Sequence, residues 1–156
     1  MPQNVMVAVL GEGEYLPRLI RAILEQEVIP ARNMFLSSKN KAACAAAEGY
    51  GVTICEDEAA AVLKAEIVLV CASRREMGTE LANISQITIK RVLVSVCDDA
   101  RVNVDYVRER VVYGTEVIAA ALEKDGDGKL SASYEIGPNV RLFLHQPCRD
   151  LVNAMC

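Results

Sequence analysis

The sequence predicts a doubly wound, mostly parallel α/β sheet in three layers, α/β/α, and three observations predict it. Short apolar runs of the kind a parallel sheet buries on both faces recur at Val5–Leu10, Ile67–Cys71 and Arg91–Val96. Helical patterns lie between them, beginning with Leu16, Leu19, Ile20, Ile23 and Leu24 on one face of a helix. The connections are short, which leaves right-handed crossovers as the way to join parallel neighbours.

Taken in order, a strand at Val5–Leu10 meets the glycine pair Gly11 and Gly13, and the helical pattern through Leu16 and Leu24 follows at once. After Pro30, Asn33–Ser37 reads as a second strand, and the alanine-rich stretch Lys39–Gly49 as a helix. Val52–Cys55 is a third strand. Asp57 caps a helix running to about Lys64, with Glu58 favourable in its first turn. Glu66–Cys71 is the clearest strand, residues 75–84 are helical, Arg91–Val96 is the next strand, and Asn103 caps a helix to about Arg110. In the last third, Thr115–Lys124 is expected to be a helix, Asp125-Gly126-Asp127-Gly128 a turn, Val140–Leu144 a further strand, and Asp150–Met155 an amphipathic tail.

Composition narrows the function classes. The chain has 156 residues, 52% of them apolar, enough for one domain with a substantial core. A formal charge of −4 argues against nucleic acid or a membrane surface as partner. No apolar run approaches the ~20 residues of a membrane span, and the first residues lack the basic and apolar regions of a signal peptide. The six cysteines form no C-x-x-C pair and read as small hydrophobes in a reducing, cytoplasmic setting. A single histidine, His145, leaves little material for a zinc site or a Ser-His relay, so no metal is expected.

Strand, glycine turn and helix together make the opening of a Rossmann-type dinucleotide-binding unit. Gly11 and Gly13 let a pyrophosphate approach the backbone, and the helix offers unpaired N–H groups and the positive end of its dipole. Leu16 stands where the fingerprint has a third Gly or Ala, and Glu12 and Glu14 place negative charge beside the phosphate, both expected to weaken binding. The second strand ends Ser37-Ser38-Lys39-Asn40-Lys41, with no acid to hold a ribose 2′-hydroxyl and two lysines. That end favours NADP(H) over NAD. The same Ser-Ser-Lys turn also reads as a soluble strand-to-helix connection with Ser38 or Asn40 capping.

The chain resembles the N-terminal cofactor domain of pyrroline-5-carboxylate reductases. Their opening, a strand then G-x-G-N-M-A then an apolar helix, parallels Gly11-Glu12-Gly13-Glu14-Tyr15-Leu16. Their second strand ends Ser-(Asp/Asn)-Arg, matched by Ser37-Ser38-Lys39, and Tyr50-Gly51-Val52 matches their lead into the third strand. Cys71-Ala72-Ser73-Arg74 stands where they have Ala-Val-Lys-Pro beside the cofactor. Val94-Ser95-Val96-Cys97 and Gly137-Pro138-Asn139-Val140-Arg141 match later strands. The likeness covers most of residues 4–110 and resumes at about 137. It implies an NADP(H)-binding oxidoreductase domain, with Gly11, Glu12, Gly13, Glu14, Tyr15, Leu16, Ser37, Ser38, Lys39, Cys71, Ala72 and Ser73 beside the cofactor.

There are departures. Asp98-Asp99 replaces a small Ala-Gly turn at the nicotinamide end, and His145-Gln146-Pro147-Cys148-Arg149 replaces the Met-Pro-Asn-Thr-Pro that helps form the active site. The family's C-terminal helical domain, which builds the dimer and the pyrroline site, has no counterpart. Full reductase activity is therefore not expected from this chain by itself, and no catalytic residue is assigned. A homo-oligomer or partner subunit would complete the site, or the fold survives as an inactive interaction module.

Residues 111–136 have no counterpart in the family pattern and read as an insertion. They hold Glu123-Lys124-Asp125-Gly126-Asp127-Gly128-Lys129-Leu130-Ser131, which partly matches a calcium-binding EF-hand loop. Glu123 stands where Asp is wanted, and Glu135 falls one residue late for the bidentate contact, so an acidic solvated turn is the favoured reading. Arg74 and Arg75 fit either a phosphate contact or an exposed helix start. His145 reads as a strand-end polar residue, and Cys148 lacks a partner for nucleophilic catalysis.

Overall fold

The computed structural model describes residues 3–156. Among the described residues, five of the predicted strands pair, with two further strands, into one seven-stranded sheet. Its strands are β1 (Val7–Gly11), β2 (Met34–Ser37), β3 (Thr53–Cys55), β4 (Ile67–Cys71), β5 (Val92–Cys97), β6 (Glu116–Lys124) and β7 (Leu130–Ile136), in the order β3-β2-β1-β4-β5-β6-β7. Neighbours from β3 to β6 are parallel, and β7 pairs antiparallel with β6. The order reverses between β1 and β4, so a crevice opens at the carboxyl ends of these strands.

Among the described residues six α-helices cover the sheet: α1 (Tyr15–Glu25), α2 (Lys41–Ala46), α3 (Glu58–Lys64), α4 (Arg74–Ile84), α5 (Val104–Arg108) and α6 (His145–Asn153). Strand alternation separates two cores. Val7, Val9, Leu69 and Val94 face Leu19, Ile20 and Ile23 of α1, with Ala43 of α2 and Leu151 of α6. Ala8, Leu10, Val68 and Leu93 face Val62 of α3, Met77 and Leu81 of α4, and Val107 of α5. Each such side chain, taken fully out of water, contributes about 1.5–3 kcal/mol. Three helix starts are fixed by side-chain caps. Asn40 accepts from the Ala43 N–H, Asp57 from Ala60 and Asn103 from Tyr106.

Two expectations are corrected. Thr115–Lys124 is not a helix. Glu116–Lys124 is strand β6, paired with β5 from Val92↔Glu116 to Cys97↔Ala121. Ala119, Ala120 and Ala121 suit a helix by propensity, but the open edge of β5 and the hairpin turn that follows outweigh it. Val140–Leu144 is not a strand either, because β7 already ends the sheet. Leu142–Leu144 forms a 3-10 turn in which Leu142 and Phe143 are exposed and only Leu144 is buried. The amphipathic tail belongs to α6, which starts at His145 and runs to Asn153.

The acidic turn between β6 and β7 closes a hairpin. Asp125 Oδ1 accepts from the N–H groups of Asp127 and Lys129, each at 2.9 Å. Its carboxylate is thereby engaged by the backbone. Among the described residues no helix is long and apolar enough to cross a membrane, and no three His, Cys, Asp or Glu side chains group so as to hold a metal ion.

Candidate functional site

The site begins where β1 runs out. Gly11 has φ +119° and lies so close to β4 that a Cβ would stand 1.9 Å from the Cys71 carbonyl oxygen. The chain is held there by the Glu12 N–H, which donates to that oxygen at 2.8 Å. Gly13 also has positive φ, +97°, but faces open space, with no atom within 4 Å of a Cβ built on it. The two glycines thus do different things. Gly11 allows two backbones to touch, and Gly13 turns the chain with open space around it.

Helix α1 starts without help from side chains. Glu14 occupies the N-cap position and makes no capping hydrogen bond. The first N–H groups therefore face the turn, apart from Pro17, which has none. Leu16 does not crowd this turn. It is 1% exposed and packs into the core with Leu19 and Ile20.

The end of β2 is tied to the glycine turn by one residue. Asn40 caps α2 with its side-chain oxygen and donates from Nδ2 to the Gly11 carbonyl at 2.8 Å. Ser37 is buried, and its hydroxyl accepts from the Lys39 N–H. Ser38 donates through its hydroxyl to the Glu56 carbonyl and through its N–H to Cys55. Ser38 is thus exposed but already engaged, and Asn40 makes the cap. Lys39 extends into solvent.

These elements enclose a cleft of about 310 Å³ at the carboxyl ends of β1 and β2. Of the residues expected beside a cofactor, Gly11, Glu12, Ser37 and Lys39 line it. Gly13, Glu14 and Tyr15 continue from the rim into α1. Cys71, Ala72 and Ser73 sit across the crevice at the end of β4, with the Ala72 N–H bonded to the Val96 carbonyl. Burial pushes the Cys71 thiol up to about 12, so it stays protonated. Leu10, Asn40 and Lys41 also line it, and the sequence pattern missed Glu58 and Glu80, which complete the lining. Glu58 and Glu80 come from α3 and α4, and only the packing of those helices brings them to the cleft.

At the other side of the crevice Asp99 is held by Arg101. The guanidinium donates to both carboxylate oxygens at 3.0 and 2.7 Å. This hydrogen bonding, with the Arg101 N–H next, draws the Asp99 carboxyl down to about 2. His145 is not part of the site. It opens α6 and hydrogen-bonds to the Val140 carbonyl, while nearby Arg141 joins Glu116 and the Lys90 carbonyl at the amino ends of β5 and β6. Cys148 is buried in the core, and burial raises its thiol to about 12, which leaves no nucleophile.

Residues 6–98 match the family described as NADP oxidoreductase, coenzyme F420-dependent. The chain belongs to this family. No curated protein matches the sequence. Among solved structures, it is similar to pyrroline carboxylate reductase of Plasmodium falciparum, solved with NADP bound. The TM-score is 0.78 at 17% identity, over 99% of this chain and 56% of that one. Pyrroline-5-carboxylate reductase of Coxiella burnetii gives 0.78 at 9% identity, over 98% and 57%. An imine reductase of Myxococcus stipitatus in complex with NADP+ gives 0.67 at 17%, over 96% and 52%. The resemblance to pyrroline-5-carboxylate reductases therefore holds in the fold, and the chain spans a little over half the length of the structures it matches.

Proposed function

We propose that the chain is an NADP(H)-binding oxidoreductase domain similar to the N-terminal domain of pyrroline-5-carboxylate reductases. The observation that carries this reading is the junction of β1, the glycine turn and α1. Gly13 leaves open space where a pyrophosphate would lie, and the first N–H groups of α1 have no side-chain cap. The end of β2 carries no carboxylate, and Ser38 and Lys39 are exposed beside it, which suits a ribose 2′-phosphate. The cleft at β1 and β2 would hold the adenosine half of a dinucleotide, and residues at the ends of β4 and β5, Asp98 and Asp99 among them, would face its nicotinamide half. When bound, the cofactor supplies hydride to an acceptor. The chain's own contribution is to bind and orient it. Gly11 keeps β1 against β4, and Asn40 fixes the second turn to the first.

The test is calorimetric titration with NADPH and NADH. Saturable binding that favours NADPH is expected, and Lys39→Glu should cut that preference about tenfold, the equivalent of ~1.4 kcal/mol for one charge-assisted contact. Absence of saturable binding to either dinucleotide would refute the reading.

A further inference from the structure

The walls of the cleft carry opposite charges. Lys39 and Lys41 come from the β2–α2 connection and the start of α2, whereas three carboxylates converge from separate elements: Glu12 from the glycine turn, Glu58 from α3 and Glu80 from α4. Oε2 of Glu58 is buried and has no hydrogen-bond partner. Glu76, one turn before Glu80 on α4, also meets Glu12. Asp57 beside Glu58 adds a further negative charge, and Arg75 beside Glu76 a positive one.

Carboxylates that line one cleft disfavour each other's ionisation. Burial, followed by the charges of Glu58 and Glu12, raises Glu80 to about 7. Glu58 is raised by burial and by Asp57, with Lys39 acting against this. Glu76 is raised chiefly by the neighbouring Glu12 side chain. A phosphate entering the cleft adds negative charge and increases the proton affinity of the same groups.

We propose that nucleotide binding in this cleft is proton-linked: the phosphorylated ligand enters together with a proton held between Glu58 and Glu80, and its affinity falls as pH rises. The proposal rests on the dinucleotide reading above. The sign follows from linkage. Well below neutrality the carboxyl group is already protonated, and binding takes up nothing. Above neutrality the proton must be drawn from solvent, and affinity falls by up to tenfold per pH unit for each proton taken up. Ionisation of the 2′-phosphate near pH 6 works in the opposite direction, and acts equally on wild type and variants.

Calorimetric titration with NADPH from about pH 6 to 8.5, in buffers of different ionisation enthalpy, tests it. Wild type should take up a proton on binding and weaken several-fold above neutrality. Glu80→Gln should take up less and bind several-fold more tightly at the alkaline end. Matching pH profiles for the two proteins would overturn the proposal. Carbon NMR of the glutamate carboxyls in the free protein provides an independent reading. A resonance titrating near neutrality and missing in Glu80→Gln is expected, and its absence also overturns the proposal while leaving the dinucleotide reading intact. Failure of NADPH to bind at every pH would instead overturn the dinucleotide reading, and the proposal with it.

Discussion

Alanine at Gly11 and alanine at Gly13 should fail in different ways, and the contrast tests how the glycine turn is built. At Gly11 the new methyl would lie 1.9, 2.8 and 2.9 Å from the O, C and N atoms of Cys71, all backbone of the strand it pairs with. Ordinary carbon contacts need roughly 3.5 Å, so β1 and β4 must separate or the turn must rebuild. Positive φ costs about 1–2 kcal/mol, overpacking about 1–3, and loss of the Glu12–Cys71 hydrogen bond about 1. The sum, roughly 3–6 kcal/mol, corresponds to a melting temperature lower by roughly 6–24 °C in a chain of this size. At Gly13 only the backbone cost applies, so the drop should be ~5 °C or less. That methyl, however, enters the space where the pyrophosphate is proposed to lie, and NADPH binding should be lost. Thermal unfolding followed by circular dichroism, with NADPH titration of each variant at low temperature, separates the two. If Gly11→Ala melts within ~2 °C of wild type, the close approach of β1 and β4 is not what requires glycine there.

Two further substitutions probe the surroundings of the turn. Asn40→Ala removes both a helix cap and the donor to the Gly11 carbonyl. It should cost about 1–2 kcal/mol in denaturant unfolding and weaken NADPH binding, whereas wild-type affinity in the variant would show that the tie between the two turns is dispensable. Leu16→Ala restores the small residue of the dinucleotide fingerprint, yet Leu16 packs into the core. Stability should fall by about 2–5 kcal/mol with NADPH affinity unchanged, and a clear gain in affinity would contradict this placement.

The outcome of reading the sequence divides by range of interaction. From β1 to α5 each element announced itself locally, through apolar strands too short to be helices and through the caps Asn40, Asp57 and Asn103. Beyond Tyr113 the deciding interactions are non-local. Ala119–Ala121 would be content in a helix, and becomes strand because β5 presents an unpaired edge. The Asp125–Gly128 turn was the available warning, since a glycine-containing acidic turn before alternating Ser131, Ser133 and Glu135 is a hairpin signal. Val140–Leu144 is apolar enough for a strand, but it follows the last strand of the sheet. The site shows the same division. Gly11, Glu12, Ser37 and Lys39 were legible from the strand-turn-helix pattern, while Glu58 and Glu80 carry no motif. They become neighbours of Glu12 only through the crossover that places α3 and α4 on one face.

This placement changes which departures from the fingerprint matter. Leu16 looked like an obstruction of volume, but the first turn of α1 rotates it into the core, where Leu19 and Ile20 surround it. Glu14 is exposed and makes no capping contact with the helix it precedes, so water screens its charge. Glu12 is different. It too is exposed, but it stands at the mouth of the cleft in contact with acids from α4, and its influence passes to groups that are partly shielded from water. The divergence of this turn therefore acts through charge and protons rather than through bulk. On the proposed reading, such a turn keeps its backbone geometry intact while nucleotide occupancy answers to pH.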